Sequence, residues 1–194
     1  MKFKLLDCFC GLGGVSEGFV AEGFECVGIE INLEIAKLYP FKCIVSDIRD
    51  LDGLDFQGYD VIWGSPPCRD FTVICDKRWK EKKNPQRGLE LVYCFLRFVR
   101  RAQPKIWIME NVPGLEKYLA IKPRISKAYI TKTMRRSFWG NFPLFLVPCD
   151  TSKPKISSYS GFDKLAKWKR AKIPFVVSRA FARACKQELM KIYG

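Results

Sequence analysis

Histidine is absent from the 194 residues. A zinc site would have to rest on thiolates and carboxylates alone, and the nine cysteines include no Cys-x-x-Cys pair, so no metal site is expected. An odd number of cysteines does not read as a disulfide framework, and a reducing cytoplasm is the expected setting. No apolar run approaches the ~18 residues of a membrane span. The opening MKFKLLDCFCGLGG is basic and then apolar, but Asp7 and the glycines interrupt it, so it does not read as a signal peptide. Nor is there an internal repeat or a low-complexity tract. What is present is a chain 48% hydrophobic, long enough for one domain with its own core.

The net charge of +14 is unevenly spread. Residues 1–121 hold 17 basic and 17 acidic side chains, whereas residues 122–172 hold 13 against 2 and residues 173–194 hold 4 against 1. The excess is interleaved with Tyr129, Phe138, Trp139, Tyr159 and Trp168. Charge alone is equally the mark of a solvated face, but basic residues mixed with aromatics suit a nucleic-acid surface.

Hydrophobic runs predict strands at 3–9, 25–31, 42–48, 58–64 and 105–111. Helices are predicted over about 14–23, after the capping residue Asn32, and over about 87–102, where Leu91, Phe95, Phe98 and Ala102 share a face. This alternation implies an α/β fold, a mostly parallel sheet wound on both faces. Residues 125–147 read as two further strands and 148–172 as a basic loop. Residues 175–192 read as a helix with Val177, Phe181, Cys185, Leu189 and Ile192 on one stripe. The whole is one domain, with a core at 1–121, a basic segment at 122–172 and a C-terminal helix at 173–194.

In open α/β sheets, ligands bind beyond the carboxyl ends of the strands. The loop FCGLGGVSEG lies there, after strand one. It lets backbone approach a ligand closely, but Ser16 stands where the dinucleotide fingerprint needs glycine, and no P-loop Gly-Lys-Ser is present. Glu30 ends the second strand, 19 residues past Gly11, where a carboxylate binds a ribose diol. Asp47 ends the third and is placed to accept from an adenine amino group. Either acid alone would be an ordinary surface residue; together they describe an adenosine pocket. The fourth strand leads into VIWGSPPCRDFT. A small buried cysteine needs no such support, whereas a nucleophilic thiol needs exposure and a fixed position, which Pro66-Pro67 supplies to Cys68. Glu110 ends the fifth strand, and burying a carboxylate there is costly unless something uses it.

In the order LLDCFCGLGG, GIEIN, SDI, GSPPC and ENV, the chain resembles the DNA cytosine-5 methyltransferase family. NPQRGLELVYCFLRFV is similar to the family motif after the catalytic loop. RRSFWGNFP is similar to its late arginine motif in the form of the mammalian de novo enzymes, and IPFVVSRAFARAC to its C-terminal helix, which the resemblance implies packs back on the core. The resemblance covers about 3–147 and 173–190. It implies a Rossmann-like methyltransferase fold and S-adenosyl-L-methionine as cofactor. It makes Cys68 the thiolate that adds to cytosine C6, Glu110 the acid at N3 and Arg136 the cation near the base. The resulting enamine would take the methyl group, and loss of the C5 proton would expel the cysteine, on a base flipped from its duplex. Phe9, Gly11, Gly13, Gly14, Glu30, Ile31, Asp47, Ile48, Pro67 and Leu89 would form the cofactor pocket. The implied partner is DNA, with the chain a monomer or homodimer near the nucleoid.

The departures from the family pattern are also specific. Met134 stands where one of a pair of arginines is expected, Arg69 replaces a polar amide after the cysteine, and the asparagine usual near the start of the C-terminal motif is missing. The family places a target recognition domain before its last helix, whereas residues 148–172 are too few for a second core. Two alternatives stay open: the same chemistry on RNA, and a subunit that methylates only with a partner. Phosphate binding is expected from Arg69, Lys153, Lys155, Lys164, Lys167, Lys169, Arg170 and Lys172. Each contact contributes about 0.9 to the log–log salt slope of duplex binding. Reversing three of these lysines is therefore expected to flatten the slope by roughly two to three units, similarly for all sequences. A slope that does not move would assign the charge to a solvated face.

Overall fold

A computed structural model describes residues 2–72, 83–152 and 165–194, apart from the side chains of Lys167 and Arg170. The five expected strands form as β1 (Lys4–Cys8), β2 (Glu25–Glu30), β3 (Lys42–Val45), β4 (Val61–Gly64) and β5 (Ile106–Asn111). All pair in parallel, in the order β3-β2-β1-β4-β5. Two antiparallel strands, β6 (Ile125–Tyr129) and β7 (Arg135–Gly140), extend the sheet, with β7 lying beside β5. The strand character expected as far as residue 147 ends at Gly140. Pro143 and Pro148 have no N–H to donate, and 141–149 contains no strand.

Alternate residues of the central strands enter different layers, as a sheet covered on both faces requires. Leu5, Trp63 and Ile108 join the layer under α1 (Gly14–Ala21) and α5 (Phe175–Tyr193). Leu6, Ile62 and Met109 join the layer under α3 (Pro85–Ala102). The short α2 (Leu33–Ala36) starts at Asn32, whose side chain accepts from the N–H groups of Glu34 and Ile35 at 3.0 and 3.1 Å. On α3, Phe95, Phe98 and Ala102 are buried as expected, and Val92 is more deeply buried than Leu91.

The helix α5 crosses α1 at Gly18. A Cβ there would lie 2.3 Å from the Arg179 nitrogen and the Ser178 hydroxyl, so only glycine admits this approach. Val177, Phe181, Cys185 and Leu189 are fully buried, but Ile192 is 47% exposed, contrary to the stripe read from the sequence. Tyr193, itself 44% exposed, lies along the surface there, stacking on Phe3 and donating to Asp60 at 2.7 Å. The segment read as a basic loop contains a helix, α4 (Ala166–Ala171). Ala166 is buried and Trp168 lies against the Gly11 loop, so an apolar side of this basic segment is packed on protein. No helix among the described residues is long and apolar enough to cross a membrane.

Phe181 joins the elements of the first layer. Its ring meets Trp63, Phe138, Phe142 and Phe145 with centroids 4.7–5.4 Å apart. Phe181→Ala is expected to cost about 3–5 kcal/mol in denaturant unfolding. A loss below about 1 kcal/mol would mean that the cluster collapses around the hole.

Candidate active site

The sheet brings the ends of β1 to β5 to one edge, and the sequence-predicted residues follow them there. After β4, Cys68 is half-buried at the start of a single 3-10 turn, Arg69–Phe71. Its approach is fixed from β5: the Asn111 amide donates to the Pro66 carbonyl at 3.0 Å and its own oxygen accepts from Val112 at 2.9 Å. The far side of the turn is held by Asp70. This buried carboxylate accepts from the Asn84 N–H at 3.0 Å and from Arg87 at 3.2–3.3 Å, tying the turn to the start of α3.

Glu110 and Arg136 form a buried ion pair across the antiparallel β5–β7 edge. Burial pushes the Glu110 carboxyl above its ordinary range; the Arg136 charge, the Ser65 hydroxyl and the Arg136 hydrogen bond oppose that rise without cancelling it. Cys68 senses the same two groups. Burial raises its thiol, the Arg136 charge favours the thiolate and the Glu110 charge disfavours it. A protonated Glu110 is thus the state in which Arg136 acts on Cys68 without an opposing carboxylate.

At the other strand ends, Glu30 accepts from the Gly11 N–H at 3.1 Å and from the Asn32 N–H at 2.9 Å. Each carboxylate oxygen retains acceptor capacity, which suits a diol. Phe9 is half-buried at φ 62° beside Phe95, and Gly11 lies at φ 52°. Ile31 is 62% exposed at the rim, Pro67 is exposed, and Ile48 and Leu89 are buried in the α3 layer. Gly13 and Gly14 approach protein as closely as any ligand: a Cβ on Gly13 would meet Pro40 at 2.9 Å, and one on Gly14 would meet Lys172 at 2.5 Å and the Ile173 backbone at 2.8 Å. Asp47, expected to stand open toward an adenine, holds Arg49 through both oxygens, at 2.5–3.1 Å.

The basic residues divide. Lys153, Lys155 and Lys164, and the side chains of Lys167 and Arg170, lie outside the described residues. Arg69 is half-buried beside Cys68, and Lys169 is exposed on α4. Lys172, expected at a phosphate, has a partner within the protein. Its stem covers Gly14 and its ammonium pairs with Glu17 at 2.5 Å, so its charge is already engaged by α1. A cleft of about 1030 Å³ along the outer side of α3, lined by Arg49, Tyr93, Arg97 and Trp107, includes neither Cys68 nor Glu110.

Sequence reasoning missed the support under the glycine loop. Asp7 on β1 is fully buried and accepts from the Ser16 hydroxyl at 2.7 Å, and Ser16 meets the Tyr39 hydroxyl at 2.6 Å. The signal was Ser16 itself, a polar residue at the glycine position of the dinucleotide fingerprint. Asn111, Asp70 and Ser65 were missed because their partners are 14 to 45 residues away in the chain.

The sequence model of the C-5 cytosine-specific DNA methylase family matches residues 3–122. The type II methyltransferase M.DdeI of Desulfomicrobium norvegicum is 32% identical over 145 residues, covering 70% of this chain and 33% of that protein. The DNA (cytosine-5-)-methyltransferase M.ApeKI of Aeropyrum pernix is 33% identical over 139 residues, covering 59% and 29%. Among solved structures, the Entamoeba histolytica methyltransferase EhMeth shares the fold with a TM-score of 0.52 at 14% identity, covering 82% of this chain and 60% of that one. The chain spans about a third to a half of the length of the curated relatives it matches.

Burial pushes the Asp7 carboxyl up to about 7; the Ser16 hydrogen bonds oppose this and the Glu30 charge adds to it. The native state therefore keeps this proton over a range, from about 4 to about 7, in which the unfolded chain has lost it. The contribution is fully present below about 4 and is lost as pH rises through about 7. Asp7→Asn is expected to flatten that decline in denaturant midpoints; the same decline in the variant would move the titration to another group.

Proposed function

The chain belongs to the C-5 cytosine-specific DNA methylase family, and on that premise we propose that it transfers a methyl group to C5 of cytosine in DNA through a covalent adduct with Cys68. The observation that carries this reading is the buried Glu110–Arg136 pair beside a cysteine held on Pro66-Pro67. Cytosine C5 is a weak nucleophile. Addition of the Cys68 thiolate at C6, with N3 protonated by Glu110, converts the ring to an enamine. C5 then takes the methyl group, the sulfur that carried it keeping the bonding pair; removal of the C5 proton lets the C6–S bond break, and N3 returns its proton to Glu110 as the thiolate leaves.

S-adenosyl-L-methionine, when bound, supplies the methyl group as an electrophilic sulfonium. The residues at the ends of β1 and β2 fit its adenosine: the Glu30 carboxylate keeps acceptor capacity for the ribose, and Phe9 offers a ring face. Ile31, Ile48 and Leu89 would supply apolar walls, and Pro67 would lie beside the base and the methyl group. Asp47 would take the adenine amino group by turning from Arg49. Arg136 has two roles in this reading. It keeps Glu110 from drifting too far toward the neutral form in the free protein, and it stabilises the thiolate once Glu110 carries its proton. On this reading the chain acts on DNA in the cytoplasm, at the nucleoid, with basic residues of 122–172 holding phosphates.

Cys68→Ala is expected to abolish methyl transfer from radiolabelled cofactor to duplex DNA while cofactor binding survives, because the thiol acts on the base and the adenosine lies on other strand ends. Retention of more than a small fraction of turnover would remove Cys68 from the mechanism. Transfer to transfer RNA but not to duplex DNA would move the same chemistry to RNA. Transfer appearing only with an added protein would make this chain a partner-dependent subunit.

A further inference from the structure

Ser65 lies between β4 and the proline pair. Its backbone N–H donates to the Cys8 carbonyl at 3.3 Å, which fixes it to the end of β1. The indole N–H of Trp63 donates to its hydroxyl oxygen at 2.9 Å. An indole nitrogen is a donor only, so the Ser65 oxygen must accept there and its own proton is left to be given elsewhere. Gly64 pairs with Met109 where β4 runs along β5, so the next position sets Ser65 beside Glu110, where its hydroxyl favours the charged form of that carboxyl. Trp63 cannot turn away from this task. It is fully buried, and its ring is held by Phe19, Phe138 and Phe181 with centroids 6.3, 6.1 and 4.9 Å away.

A glutamate carboxyl rotates broadly about its last torsion when nothing holds it. Here two donors from different elements reach it, Ser65 after β4 and Arg136 on β7. Resting on the methyl-transfer reading above, we infer that Ser65, oriented by Trp63, is a positioning residue that sets the plane of the Glu110 carboxyl toward cytosine N3. The line of contacts continues from Trp63 to Phe181, so the packing of α5 reaches the acid through one indole and one hydroxyl. The charged and titratable groups that act on Glu110 beside this contact are Arg136 on β7 and Cys68 after β4.

The test is steady-state methyl transfer by Ser65→Ala, Ser65→Thr and Trp63→Phe, each with a cofactor-binding measurement and a thermal melt. Ser65→Ala is expected to lower kcat roughly tenfold with cofactor affinity unchanged. Because the lost hydroxyl stabilised the charged carboxyl, the alkaline limb of the kcat–pH profile should move to higher pH. Ser65→Thr keeps the hydroxyl and should restore both. Trp63→Phe keeps the ring but not the N–H and should show a smaller change in the same direction. If the alanine variant does not fold, Trp63→Phe is read in its place. A carbon-13 titration of the Glu110 carboxyl reads the contact without turnover, and it too should move up in Ser65→Ala. A Ser65→Ala variant with wild-type kcat, pH profile and Glu110 titration would overturn the inference. Absence of methyl transfer by the wild-type chain would overturn the methyl-transfer reading instead, and the Glu110 titration would still decide whether Ser65 orients the carboxyl.

Discussion

The buried ion pair between Glu110 and Arg136 is the contact on which the rest of the site depends. An uncompensated charge at the end of a covered sheet is expensive, and the expense is met only if its partner arrives with good geometry. The partner arrives because β7 runs antiparallel beside β5, so that its early residues lie opposite the end of β5. A sixth parallel strand in that place would have carried its first residues to the opposite edge of the sheet. The switch in strand direction is therefore part of the chemistry as well as of the topology.

The balance at the pair is not symmetric. Burial wins over the two donors, so Glu110 is displaced toward its neutral form. That asymmetry is what an acid for a ring nitrogen requires, and it couples to the thiol. Proton gain by Glu110 and proton loss by Cys68 favour each other because one guanidinium serves both. The prolines, Asn111 and Asp70 then hold the thiol where that coupling operates, each through a hydrogen bond or a fixed backbone torsion.

Much of this was legible from sequence for a physical reason. Strands buried on both faces read as continuous apolar runs, so their ends, and the residues Phe9, Glu30, Asp47, Cys68 and Glu110 upon them, can be located by counting. Contacts set by tertiary packing could not be read that way. Ile192 satisfies the helical stripe, but the last turn of α5 runs past the core, where Ile192 is exposed and Tyr193 reaches along the surface to Phe3 and Asp60. Lys172 reads as a free cation until α4 is seen to carry it over Gly14 to Glu17. The carboxylate of Asp47 is accounted for by an arginine two residues away, a local pair that the strand-end argument did not weigh. Asp7, Ser16 and Tyr39 are joined across β1, α1 and the turn after α2, a triad with no sequence period.

The chain spans about a third to a half of the length of the curated relatives it matches, and covalent catalysis is the claim on which the proposed reaction rests. The most direct measurement is trapping on duplex DNA whose cytosine carries fluorine at C5, with S-adenosyl-L-methionine present. Fluorine cannot leave as a proton does, so the adduct should persist after denaturation, and peptide mass mapping should place it on Cys68 among the nine cysteines. An adduct on another cysteine, or its absence under conditions in which unmodified duplex is methylated, would contradict the account.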